Sequence, residues 1–115
     1  MRYMLFLYGD EDAFDALTPA QAEKVIGMHM EFSRALEKAG ASLAGEPLEH
    51  SRSARRVTKR DGRLKVEDGP FTDSKEQIGG FYLIEAKNLD EALDWAARTP
   101  TASDGVVEVR PIWEV

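Results

Sequence analysis

The chain has no cysteine. That absence removes disulfide frameworks, thiolate nucleophiles and cysteine-bound metals together, and it sets a cytoplasmic location as the expectation. Histidine is almost as scarce. Only His29 and His50 occur, far apart in sequence, so no metal site is expected. No apolar run approaches the roughly 20 residues of a membrane span, and no membrane association is expected. The opening segment Arg2-Tyr3-Met4-Leu5-Phe6-Leu7-Tyr8 lacks the small-residue cleavage site of a signal peptide. There is no phosphate-binding glycine loop and no serine-nucleophile elbow, so no cofactor is expected either. Basic residues are outnumbered, 15 against 21 acids, and a net charge of −6 argues against a general nucleic-acid binder.

What is present describes one soluble domain spanning residues 1–115, with 43% hydrophobic and 31% charged residues. The charge is uneven. Between Arg52 and Lys65 lie seven basic residues against the single acid Asp61. This window reads either as a solvated hairpin or as a patch that recruits anions.

Arg2 to Tyr8 is apolar on both alternating faces, the mark of a central strand. Gly9-Asp10-Glu11-Asp12 is expected to break it as an acidic loop. Thr18-Pro19-Ala20-Gln21 carries the chemistry of a helix start, with a capping threonine, proline at the first helical position and glutamine placed to reach back. Val25, Met28, His29, Phe32, Leu36 and Ala39 then recur at helical spacing, and Gly40 ends the helix. A strand is expected over Ala41 to Leu48. Asp61-Gly62 marks a hairpin between the basic arms Ala54–Lys59 and Arg63–Val66. Asp73 to Gln77 reads as a brief helical turn, and Phe81-Tyr82-Leu83-Ile84 as a second central strand. A helix capped at Asn88 or Asp90 follows, with Leu89, Ala92, Leu93 and Ala96 as its inward stripe. Gly105 to Ile112 is the last strand.

The order β-α-β, basic hairpin, β-α-β predicts an α+β fold: a split βαβ, ferredoxin-like sheet with two helices on one face. Both central strands are apolar on two faces while the helices cover one. The second face therefore predicts a homodimer.

Asp68-Gly69-Pro70-Phe71, Lys75-Glu76, Gly79-Gly80-Phe81, Asp90-Glu91-Ala92, Trp95-Ala96, Pro100 and Val107-Glu108-Val109-Arg110-Pro111 together resemble the DGPF branch of the YCII-related proteins. The resemblance runs over nearly the whole chain. It implies a ferredoxin-like, dimeric α/β-barrel type fold and, for many relatives, a gene neighbour encoding an extracytoplasmic-function sigma factor. It also implies a helix-1 histidine near an acid in a cleft, with dehydrochlorinases and isomerases among proteins of similar fold. His29, eleven residues before Gly40, matches that histidine by spacing.

From the residues themselves, His29 is either a satisfied core histidine or a general acid/base, since an unperturbed imidazole titrates near pH 6.5. Asp68, held by a Gly-Pro turn, is either the cap of that turn or the carboxylate that orients His29. Arg110 either pairs with Glu108 or grips a substrate carboxylate. Lys75 stands at a possible cleft mouth, and Tyr8 and Phe71 are candidate aromatic walls. His50 is assigned no role. The expected activity is cofactor-free proton transfer by His29 and Asp68 on a small anionic organic ligand, as an isomerase or lyase. The alternative is a non-enzymatic metabolite-binding or regulatory module.

Overall fold

The computed structural model describes all 115 residues. The chain has six strands, β1 (Arg2–Asp10), β2 (Ser42–Pro47), β3 (Arg55–Arg60), β4 (Arg63–Asp68), β5 (Glu76–Glu85) and β6 (Val106–Pro111), with α1 (Glu11–Asp15) and α2 (Pro19–Lys38) between β1 and β2 and α3 (Leu89–Arg98) between β5 and β6. Four strands form one antiparallel sheet in the order β2-β5-β1-β6, while β3 and β4 form a separate ribbon. β1 and β2 run parallel with β5 between them, and β5 and β6 run parallel with β1 between them. This is the expected ferredoxin-like split βαβ topology.

The helices form where local chemistry directs. Thr18 and Gln21 satisfy each other's backbone amides at the head of α2, at 3.2 and 3.0 Å. Asn88 Oδ1 accepts from the Glu91 amide at 3.0 Å and starts α3. Gly40, at φ +70°, takes the left-handed position after the α2 C-cap. Phe32 and Leu36 of α2 and Ala92, Trp95 and Ala96 of α3 pack on Tyr3, Leu5, Tyr82 and Ile84 of the sheet. Phe32 sits edge-on to Tyr82 and Trp95, with centroid separations of 4.9 and 6.0 Å. Within the expected stripes, Met28, Leu89 and Leu93 are exposed; Trp95 takes the inward place on α3.

Two local expectations fail. The acidic stretch after Gly9 is not a loop: β1 continues to Asp10, whose Oδ1 accepts from the Ala13 amide at 3.1 Å and caps α1. That amide, helped by Lys75, holds the Asp10 carboxyl below its ordinary range. Asp73 to Gln77 is not helical, because Gln77 Nε2 donates to the Thr72 and Ser74 carbonyls and β5 begins at Glu76. Pairing of Glu76 and Gln77 with Asp10 and Gly9 of β1 outweighs the local capping pattern. A bulge at Gly79 then lets Ile78 face the same side as Tyr8.

No strand or helix covers the face formed by Met4, Phe6, Tyr8, Phe81 and Leu83. No helix is long and apolar enough to cross a membrane.

Candidate functional site

The open face ends, beside the hairpin base, in a cleft of about 930 Å³. Tyr8, Val106 and Glu108 form its sheet wall; Leu48–Ser51 with Ser53 and Ala54 form one flank, and Pro70–Thr72, Ser74 and Glu76–Ile78 the other. Tyr8 donates to Glu108 Oε1 at 3.3 Å, and burial followed by the Glu108 charge raises the phenol's pKa, so Tyr8 stays protonated.

His50 lies in the flank, its side chain only 17% exposed. Its Nδ1 accepts the Arg52 backbone N–H at 3.1 Å, which places the ring proton on Nε2, facing Asp12 Oδ1 at 2.8 Å. Glu11 Oε1 stands 3.4 Å from Nδ1 on the other side. Glu11 also accepts the Ser51 amide at 2.9 Å and the Ser51 hydroxyl, which ties α1 to the turn after His50. Asp12 is 84% exposed, so a ligand in the cleft can replace it at Nε2 or share it. With Nδ1 engaged by the Arg52 amide, His50 exchanges a proton with a ligand only at Nε2, in the place that Asp12 holds. Asp12, Asp15 and His50 are also near enough to one another to share a cation.

The structure separates the residues that the sequence paired. His29 lies on the opposite, helix-covered side, where its Nδ1 and the Tyr82 hydroxyl share a hydrogen bond of 2.9 Å. Burial lowers the His29 pKa, and the Asp104 charge opposes that effect. Asp68 does not orient His29. Its carboxylate is 87% exposed and pairs with Arg55 Nε at 3.0 Å, because the hairpin carries it away from α2. Nor does that carboxylate cap its own turn; Gly69 instead takes φ +93° and donates its amide to the Ala54 carbonyl.

Tyr8 and Phe71 both line the cleft. Arg110 and Lys75 do not offer it a free cation: Arg110 pairs with Glu108 at 3.2 Å and Lys75 with Asp10 at 3.4 Å. No lysine or arginine lines the cleft, whereas Glu49, Glu76 and Glu108 do, so the lining is matched poorly to the expected anion. His50 had no signal in sequence. It meets Asp12 across 38 residues only because Leu48 hydrogen-bonds Gly79 and β5 carries that segment to the end of β1.

Fold and cleft together define a ferredoxin-like α+β protein with a small-molecule-sized cavity at one end of its sheet. More particularly, the chain belongs to the YCII-related domain family, whose model matches residues 1–115. It is 36% identical over 114 residues to an uncharacterised protein of Rhizobium meliloti, covering 97% of this chain and 92% of that one. A similar solved structure is 5-chloro-2-hydroxyhydroquinone dehydrochlorinase from Burkholderia phenoliruptrix AC1100 in complex with 2,5-dihydroxybenzoquinone. That likeness has a TM-score of 0.56 at 15% identity and covers 99% of this chain and 94% of the other; it bears on fold alone.

Proposed function

We propose that this protein, a member of the DGPF branch by its Asp68-Gly69-Pro70-Phe71 turn, is a cofactor-free acid–base enzyme on a small organic ring compound. The observation that carries this reading is His50, little exposed and held between Asp12 and Glu11 in the cleft flank. His50 exchanges the proton at Nε2 once a ligand takes the place of Asp12, the Arg52 amide holds the ring at Nδ1, and Tyr8 with Phe71 forms the aromatic wall. Isomerisation and elimination both need only such a transfer. The carboxylates of the lining favour a neutral or cationic compound over the anion expected from sequence. A regulatory role beside a sigma factor has only the uneven charge behind it.

The working unit is a homodimer. A chain of 12.8 kDa folded compactly exposes about 6,300 Å², whereas this one exposes 8368 Å². Its radius of gyration is 16.0 Å, against about 13 Å for a compact chain of this length. Second copies cover such excess surface most simply, and the half-buried Met4, Phe6, Phe81 and Leu83 of the open face offer an apolar part of it.

The test is proton exchange. Hydroxylated quinones, phenols and lactones are incubated with the protein in D2O, and deuterium entry into acidic C–H positions is followed by NMR. His50→Gln is expected to abolish exchange and His29→Gln to retain it. Exchange that survives in His50→Gln removes His50 from the mechanism.

A further inference from the structure

The β3–β4 ribbon has almost no support from its own chain. Its strands pack on each other, and no other helix or strand packs substantially against either. An isolated two-stranded ribbon is marginal in water at best. One of its faces nevertheless carries Val57, Leu64 and Val66, which are 64%, 67% and 57% exposed. Val57 and Val66 are direct cross-strand partners and Leu64 opposite Lys59 extends the strip, so they form one aliphatic patch. Lys59 and the Arg55–Asp68 pair share that face. The ribbon segment is strongly basic, +6 between Arg52 and Lys65, while the rest of the chain carries −12. The open sheet face is the converse surface. It is half-apolar through Met4, Phe6, Phe81 and Leu83 and carries the acid Glu46 together with the Glu108–Arg110 pair.

We propose that each ribbon is an arm that packs its Val57–Leu64–Val66 face onto the acidic body of a second copy of this chain. The proposal rests on the homodimer argued above and adds the surface through which the two copies hold each other. Apolar strip meets apolar face, a segment of net +6 meets a body of net −12, and the arm gains the third layer it needs. The arm accounts for the chain's breadth: 47 by 44 Å, with a thickness of 18 Å. The ribbon is therefore the least protected element in a monomer and becomes ordered by association.

The decisive variant is Val57→Asp with Leu64→Asp. Both side chains face solvent within one chain, so a protein that does not use them as a contact tolerates the change. With the arm engaged, the pair is expected to weaken dimerisation at least a hundredfold, measured by sedimentation across a concentration series, with the far-ultraviolet dichroism unchanged. A dimer of unaltered affinity overturns the arm and leaves the homodimer standing; a monomeric wild type overturns both. Should the double variant fail to fold, Leu64→Cys supplies the only thiol in the chain. Its reaction with a soluble disulfide reagent is expected to slow at least tenfold in the dimer. Reaction at the rate of an open cysteine in a protein shown to be dimeric overturns the arm.

Discussion

Replacing Leu83 by lysine separates a covered sheet face from a bare one. Leu83 lies on the open face, paired with Met4 on β1 and Ala44 on β2, and is half-buried within one chain. In a monomer the lysine extends its charge into water while its stem stays on the sheet, and the cost stays below about 1 kcal/mol. Across a two-fold interface the same substitution enters twice, because each copy presents the same face. A charge held against an apolar surface costs about 2–3 kcal/mol per copy after relaxation, or about 5 kcal/mol for the pair. That corresponds to a rise of roughly 10³- to 10⁴-fold in the dimer dissociation constant. Sedimentation velocity over a dilution series reads this directly, with dichroism as the control for folding. Wild type is expected to sediment as a dimer at micromolar concentration and Leu83→Lys as a monomer of native secondary structure. Equal dissociation constants for the two proteins refute the covered face, and a folded monomeric wild type refutes the surface argument itself.

Gly105→Ala is expected to lower the thermal midpoint by several degrees, since its Cβ would collide with the Tyr8 carbonyl oxygen and about 1–3 kcal/mol of strain results. The same shift moves Tyr8, so ligand affinity in the cleft is expected to fall with it. Thr18→Ala removes half of the α2 capping box and is expected to cost about 1 kcal/mol in denaturant unfolding. Burial keeps His29 neutral in the fold while the unfolded chain protonates it near pH 6.5. The unfolded state therefore binds more protons below that pH, and stability falls as the pH drops through about 6.5. His29→Gln is expected to flatten that slope in urea titrations between about pH 5 and 7; an unchanged slope refutes the assignment. Tyramine is expected to bind the cleft more tightly than 4-hydroxyphenylacetate in ligand-observed NMR, with the reverse order refuting the role given to Glu49 and Glu76.

The elements legible in the sequence are those with local causes. Thr18 to Gln21 cap α2, Asp61-Gly62 turns the hairpin, and the two-sided apolar runs around Leu5 and Leu83 become adjacent central strands. Asp10-Glu11-Asp12 is equally local, an N-cap followed by acids in a first helical turn, but its charge density reads as a loop. Ser74 and Gln77 show the opposite failure, in which a good capping pattern yields to strand pairing. The cleft is half legible. Tyr8 and Phe71 carry aromatic bulk that marks a wall at any distance, whereas His50 acquires meaning only from α1, brought alongside by the sheet register. His29 draws attention through its place on the α2 stripe, and that periodicity directs it into the helix–sheet layer, where Tyr82 receives it.

The sheet order also sets when this protein can fold. β1 is central, and its two ladder partners are residues 76–85 and 106–111. As the chain leaves the ribosome, β1 waits for most of the remaining residues to emerge before a single ladder bond can close. Only α1, α2 and the hairpin can form on local contacts in the meantime. Such long-range pairing makes folding slow and largely post-translational. Through that interval Leu5, Phe6 and Leu7 stand uncovered, so the strand that anchors the finished sheet is also the segment most in need of protection before the sheet exists.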